Sequence, residues 1–415
     1  MILRILRGLL IASLAVVLLG LAYSFLIFNT YAPGDGDAEA DVALVDYYSA
    51  SYDEARTAFR QATSGLSSYY EGIECKSIKV PSKVDTALYV DMCYIPPKGE
   101  SQKLLIMTSG LHGVEGYTGS ALQLLFLEKM KEMHGVEDMG FLFIHAMNPY
   151  GFKYHRKATE NNVDLNRNCV LTPEQFETQN TGFTQIYDML TPSGKVAVNS
   201  LWNRSFHLVA INQIIRKGMP VLRQAALQGQ YDYPEGIYYG SKDYEPQVKL
   251  VMPEIKKYIN RYATVLNVDL HTGYGERGQL HLFIDRPDDE AVEQGIESIF
   301  QGQEIDWSEG ADFYTINGEY VGLVAAQADS ALVIPMLIEF GTMNSQETFG
   351  SLKSIHIMIC ENQGFNHGFK NDKSEQKVKR DMLELYAPTS EAWRAETIRK
   401  GEASLQMMMD HFLAF

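Results

Sequence analysis

The sequence predicts an α/β protein: a doubly wound, mixed but mainly parallel sheet flanked by helices and preceded by one N-terminal transmembrane helix. Three observations lead there. Apolar runs of strand length alternate with helix-length segments, as in Lys103–Thr108 (KLLIMT), Thr118–Met133 and Phe141–Ala146 (FLFIHA). Strand, helix, strand in that order is the pattern of a parallel crossover unit. The composition, 46% hydrophobic and 21% charged over 415 residues, is that of a folded globular chain. Finally, the first thirty residues contain an uncharged apolar stretch long enough to cross a bilayer.

That stretch runs from Gly8 to Phe28, behind Arg4 and Arg7. At a 1.5 Å rise per residue it covers about 30 Å, the thickness of a bilayer core. A cleaved signal peptide has a shorter apolar region, and its small-residue cleavage site is poorly matched here. An uncleaved anchor over residues 1–30 is therefore expected. The basic residues precede the span and Asp35, Asp37, Glu39 and Asp41 follow it. The positive-inside rule then places the rest of the chain outside the cytoplasm. Residues 31–45 read as an acidic linker, and residues 46–415 as one catalytic-size domain.

Within the domain, residues 46–72 read as helical. Glu74–Val80 and Ala87–Ile95 read as strands joined by a turn at Pro81–Asp85. A hairpin centred near Val84 would set Cys75 opposite Cys93, either as a disulfide, which export permits, or as two thiols. Val265–Leu270, Leu280–Ile284 and Leu332–Phe340 read as further strands. Segments near 249–263, 288–302, 374–386 and 391–413 read as helices. The polar, aromatic stretch near 170–245 reads as an insertion.

A net charge of -16 argues against nucleic-acid binding, which needs a basic surface. Four Cys are too few for a disulfide scaffold. Gly273–Gly278 fits a dinucleotide fingerprint in letters only, because a strand follows where that motif needs a helix. Ser109 lies outside a nucleophile elbow.

Four segments carry chemistry. They are Ser109–Gly116 (SGLHGVEG), Asn148–Gly151 with Asn161–Asn168 (NNVDLNRN), Val268–Gly273 (VDLHTG) and Ile338–Thr342 (IEFGT). A catalytic zinc site takes three protein ligands from His and carboxylate and leaves a fourth position open. His112 and Glu115 are three residues apart, so one turn can aim both at a single ion; His271 would come from a distant strand. His112, His271 and Glu339 each sit where an apolar strand run ends, and ligands of doubly wound sheets bind at that edge. A lone His-x-x-Glu carries little weight: His134–Glu137 repeats the four letters in what reads as a solvated loop.

Together the four segments resemble the carboxypeptidase A-like (funnelin) superfamily of zinc peptidases, over roughly residues 100 to 345, and most closely a bacterial branch of unassigned function. The resemblance implies one zinc ion per chain, held by His112, Glu115 and His271. Asp164 would hold His112 in one tautomer, Arg156 would stabilise the developing oxyanion, and Asn166 with Arg167 would hold a substrate carboxylate. Glu339 would be the general base for the attacking water. The family's mobile tyrosine has two candidates here, Tyr314 and Tyr320. The implied activity is removal of a C-terminal residue from peptides, outside the cytoplasm and facing a bacterial periplasm. Two other readings stand beside it: a zinc amidohydrolase that deacylates N-acyl amino acids, similar to aspartoacylase, and a catalytically inactive envelope binding module.

Overall fold

Eight strands form one mixed sheet in a computed structural model that describes residues 2–307 and 316–415. They are β1 (Glu74–Lys79), β2 (Tyr89–Ile95), β3 (Lys103–Ser109), β4 (Gly140–His145), β5 (Thr264–Thr272), β6 (Leu280–Phe283), β7 (Ile305–Asp306) and β8 (Leu332–Phe340). The order across the sheet is β1-β2-β4-β3-β5-β8-β6-β7. The central strands β4, β3, β5 and β8 are parallel; β1 pairs antiparallel with β2, β2 with β4 and β6 with β8, while β7 runs parallel to β6. β3 and β4 are buried along nearly their whole length, so their sequences are continuous apolar runs, as parallel strands covered on both faces require.

The principal helices are α1 (Ile2–Thr30), α2 (Tyr52–Gly65), α3 (Gly116–Lys129), α4 (Thr181–Leu190), α5 (Leu201–Lys217), α6 (Met219–Leu227), α7 (Pro246–Ile259), α8 (Glu290–Ile299), α9 (Thr348–His367), α10 (Asp372–Tyr386) and α11 (Glu391–Ala414). The strands anticipated from apolar runs appear within a few residues of their predicted ends, Leu332–Phe340 among them. Helix α9 has no counterpart in the sequence reading. It buries His356, Cys360, Glu361, Asn362 and Gln363 along with its apolar residues, so it carries no clean apolar stripe.

α1 contains the one helix segment among the described residues, Leu9–Thr30, that is long and apolar enough to cross a membrane, and its span is not buried against the protein. Its last turns dock on the domain: Phe28 is buried and stacks on His207 at 4.7 Å. The Cys75–Cys93 pair is bonded and lies in register across β1 and β2. The residues read as an insertion fold into α4, α5 and α6. These helices share an apolar cluster of their own with the side of α9, including Phe183, Leu190, Phe206, Leu222 and Leu352.

Candidate metal centre

The chain leaves β3, crosses to β4 on one side and then returns to β5 on the other side of β3. This reversal opens a crevice at the carboxyl ends of β3 and β5, the usual ligand position in such sheets. His112 and Glu115 come from the loop after β3, and His271 from the end of β5. Gly110 begins that loop with φ +64°, a left-handed conformation that favours glycine. At Gly113 the loop passes so close to the next segment that a Cβ would stand 2.2 Å from the Gly151 carbonyl carbon.

The motif Asn148–Gly151 explains that closeness. Asn148 accepts from the Gly151 N–H through its side-chain oxygen and donates to the Lys157 carbonyl at 3.0 Å. Lys157 and Arg156 in turn accept from the N–H groups of Gly113 and Val114. The ligand loop is thus pinned by backbone hydrogen bonds rather than by side chains alone.

His112, Glu115 and His271 converge, all three buried. The Nδ1 atoms of both imidazoles face the Glu115 carboxylate, each 2.9 Å from one of its oxygens. Their Nε2 atoms face outward onto carboxylates: His112 onto Asp164 at 3.2 Å, His271 onto Asp269 at 2.7 Å. Each outer nitrogen thus has a carboxylate partner, as the outer nitrogen of a metal-bound histidine usually does. Asp269 and His271 are two apart on a strand, so both side chains leave the same face.

The electrostatics describe a site that demands positive charge. Burial opposes ionisation of Glu115, but the adjacent His112 and His271 hold its carboxyl well below the usual range. Burial likewise disfavours a charged His271, yet the Asp269 and Glu115 carboxylates push it well above the ordinary histidine value. The same field that holds a proton there would hold a divalent cation. Two imidazoles and one carboxylate are also the donor set of a catalytic zinc site. The residues present fit the metal.

Glu339 stands beside this cluster. It pairs in register with His271 across β5 and β8, and it lines the same cleft. Burial, with a smaller push from the Glu115 charge, raises its carboxyl to about 7, which suits a group that exchanges protons near neutrality. Asn166 and Arg167 line the cleft too. Asn166 accepts from the Tyr320 N–H at 2.9 Å. Arg167 directs Nε and Nη2 at the Leu227 carbonyl and Nη1 at that of Asn166, so its fork is held by backbone.

Arg156 is placed elsewhere. Its Nε pairs with Glu361 at 2.8 Å, Nη1 donates to Thr159, Nη2 donates to Asn162, and Phe365 covers its face at 3.4 Å. It is fully buried in this network and does not line the metal-centre cleft. Its neighbour Lys157 does: Lys157 Nζ contacts His112 Nε2 and lies 3.2 Å from Asp164. Nothing in residue order separates these two neighbouring cations. Tyr320 is a core residue bonded to Thr108, not a cleft residue; Tyr314 lies outside the described residues. Three tyrosines do line the cleft: Tyr238 from the insertion, Tyr274 just after β5 and Tyr386 at the end of α10. Tyr238 has φ +53°, a costly conformation for a bulky residue that occurs mostly at functional sites. The His134–Glu137 copy sits at the surface with its histidine exposed.

Residues 48–400 match the family described as "Protein of unknown function (DUF2817)", and the chain belongs to it. No curated protein matches it. Among solved structures, the chain is similar to the carboxypeptidase A of Helicoverpa armigera at 12% identity, covering 81% of this chain and 74% of that one with a TM-score of 0.41. It is similar to bovine thrombin-activatable fibrinolysis inhibitor at 13% identity, 77% and 97% coverage and a TM-score of 0.41. The metallo-carboxypeptidase of Pseudomonas aeruginosa gives 10% identity, 76% and 68% coverage and a TM-score of 0.38. At such identities these are likenesses of fold outline and say nothing of chemistry.

Proposed function

We propose that this DUF2817 member is a zinc-dependent amide hydrolase of the carboxypeptidase type, held at a membrane by α1 with its domain outside the cytoplasm. One observation carries the proposal: two imidazoles turn their Nδ1 atoms onto one carboxylate at 2.9 Å while a second pair of carboxylates fixes their outer nitrogens. Such a constellation is costly to bury without a cation to hold.

When bound, a zinc ion supplies Lewis-acid polarisation of the scissile carbonyl and makes water more acidic. His112, Glu115 and His271 would hold it. Asp164 and Asp269 keep the two rings in the productive tautomer. Glu339 takes a proton from the attacking water as the C–O bond forms and then delivers it to the amine nitrogen as the C–N bond breaks. Lys157 brings positive charge to the cleft wall, the place expected of Arg156. Asn166 and Arg167 orient the substrate's carboxylate. The Cys75–Cys93 bond supports an oxidising compartment.

The test is direct. Purified full-length protein should contain one zinc per chain and release amino acids from short peptides, with activity lost on chelation and restored by zinc. Undiminished activity in metal-free protein would overturn the proposal. A second reading, deacylation of N-acyl amino acids, is favoured by an apolar groove lined by Phe206, Leu222 and Leu352 that shares Leu227, Ser351 and Ile355 with the cleft. Cleavage of acyl amino acids with peptides left intact would select it.

A further inference from the structure

The cleft does not end at the metal centre. Leu227, Ser351 and Ile355 line one of its walls, and the same three residues line a second groove of about 540 Å³, mouth included. The groove passes between α4, α5, α6 and the start of α9, walled by Ile186, Leu190, Phe206, Ile214, Leu222 and Leu352. Among the described residues, only Arg223 and Ser351 give it polar side chains. A peptide would leave its backbone groups unpaired in such a channel, at a cost of a few kcal/mol each. A hydrocarbon chain has none to leave.

The outer side of the same helices points to where the chain comes from. Leu201 and Ile215 on α5 are each 79% exposed, and Val221 on α6 is 56% exposed. Helix α5 is fastened to the end of α1: Asn29 donates to the Arg204 carbonyl at 2.9 Å, and Ser24 meets His207 Nε2 at 3.4 Å. As the numbering falls from 29 to 24 on α1, it rises from 204 to 207 on α5, so the two helices are antiparallel there. The ten residues from His207 to Lys217 then carry α5 about 15 Å away from the carboxyl end of α1. One wall of the apolar groove, α5, is thus fastened to the end of the one bilayer-length helix among the described residues, and it exposes Leu201, Val209 and Ile215 between Arg204, Asn212 and Arg216.

We propose that the groove holds the hydrocarbon chain of a long-chain N-acyl amino acid taken from the membrane, with the amide carbon brought to the His112–Glu115–His271 cluster. The proposal rests on the amide-hydrolase reading and names its substrate. Water adds its oxygen to the acyl carbon, the C–N bond breaks, and the proton passes to the amine, giving a fatty acid and a free amino acid. Both products follow from groups already described, and no co-reactant is required.

The experiment uses full-length zinc-loaded protein in lipid nanodiscs and panels of N-acetyl, N-octanoyl and N-palmitoyl amino acids. The expected result is a rise in kcat/KM of at least tenfold from acetyl to palmitoyl. Ala226→Trp, which fills the groove, should collapse that palmitoyl-to-acetyl ratio by tenfold or more. A ratio within twofold of unity in the wild type, or one that Ala226→Trp leaves unaltered, overturns the proposal while leaving a working hydrolase. If no member of any length is cleaved, the hydrolase reading fails and a separate measurement decides the groove. Saturable binding of a dansyl fatty acid, displaced by palmitate and lost in Ala226→Trp, sustains the groove's occupant; absence of such binding overturns it. Circular dichroism of Ala226→Trp, with Ala210→Leu as the milder groove-narrowing variant, separates blockage from misfolding.

Discussion

Replacing Asp269 by Ala should loosen the metal without unfolding the domain. Its carboxylate oxygen Oδ2 lies 2.7 Å from His271 Nε2, and both side chains are buried. It is the carboxylate on the outer nitrogen of His271, as Glu115 is on the inner one at 2.9 Å. Without it, the ring is free to present a protonated Nδ1 to the ion, and ligand basicity falls. Losing such an outer carboxylate typically costs 10–100-fold in metal affinity, or about 1.4–2.7 kcal/mol. The upper half of that range is expected, because the pair is dry and solvent cannot take over the hydrogen bond. The assay is zinc competition against a chelator of known affinity, read as the Kd of wild type, Asp269→Ala and Asp269→Asn. The Asn variant keeps an acceptor oxygen and should fall between. Urea unfolding of each apo protein checks the fold. A zinc Kd within twofold of wild type for Asp269→Ala would refute the reasoning, since His271 would then need no partner on its outer nitrogen.

The other predictions concern chemistry, stability and the ligand loop. Glu339→Gln should lower kcat by about 10²–10⁴-fold, the usual worth of a general base, while zinc content by atomic emission stays at one per chain; loss of the metal would mean the residue is a ligand instead. Glu361 is buried, but Arg156 at 2.8 Å and Lys379 at 3.1 Å hold its carboxyl below the usual range. A depressed folded value means stability that is full above the unfolded pKa near 4.3 and lost as pH falls through the folded value. Glu361→Gln should therefore cost about 3 kcal/mol at pH 7, and the gap to wild type should narrow in unfolding curves recorded toward pH 3. Changing Cys75 and Cys93 together to Ser opens a loop of sequence separation 18 and should cost about 3 kcal/mol by loop entropy, seen as a lower urea midpoint. Gly113→Ala forces a Cβ to within 2.2 Å of the Gly151 backbone; zinc affinity should fall with little change in far-UV circular dichroism.

The two neighbouring cations Arg156 and Lys157 meet different partners. Backbone carbonyls of both hold the ligand loop, so both positions are fixed, but their side chains leave on different sides. Arg156 enters a pocket whose polar partners, Glu361, Thr159 and Asn162, match the several donors of a guanidinium. Lys157 presents a compact charge to Asp164 and the His112 ring. Exchanging their identities would leave donors unpaired on one side and a bulky fork against a ligand on the other.

Much of this molecule was legible in its residues. Strand runs such as Leu332–Phe340 announce themselves because a parallel strand buried on both faces must be apolar throughout. That His112, Glu115 and His271 could share one cluster was legible because they lie at strand ends in a recognisable order. Asp269 carried a signal as well, the Asp-x-His spacing on one strand face. Helix α9 was not legible, since its buried Glu361, Asn362 and Gln363 erase the apolar period. Nor was the choice of Lys157 over Arg156, nor the absence of Tyr320 from the cleft. Each of these turns on which way a side chain leaves the backbone and on partners more than a hundred residues distant, as with Glu361 for Arg156. The groove beside α5 and α6 is likewise a product of packing: its walls come from four helices, and their apolar residues read in order look only like an ordinary core. Local spacing fixes which residues can share a face; closing the chain decides which faces meet and what is left open between them.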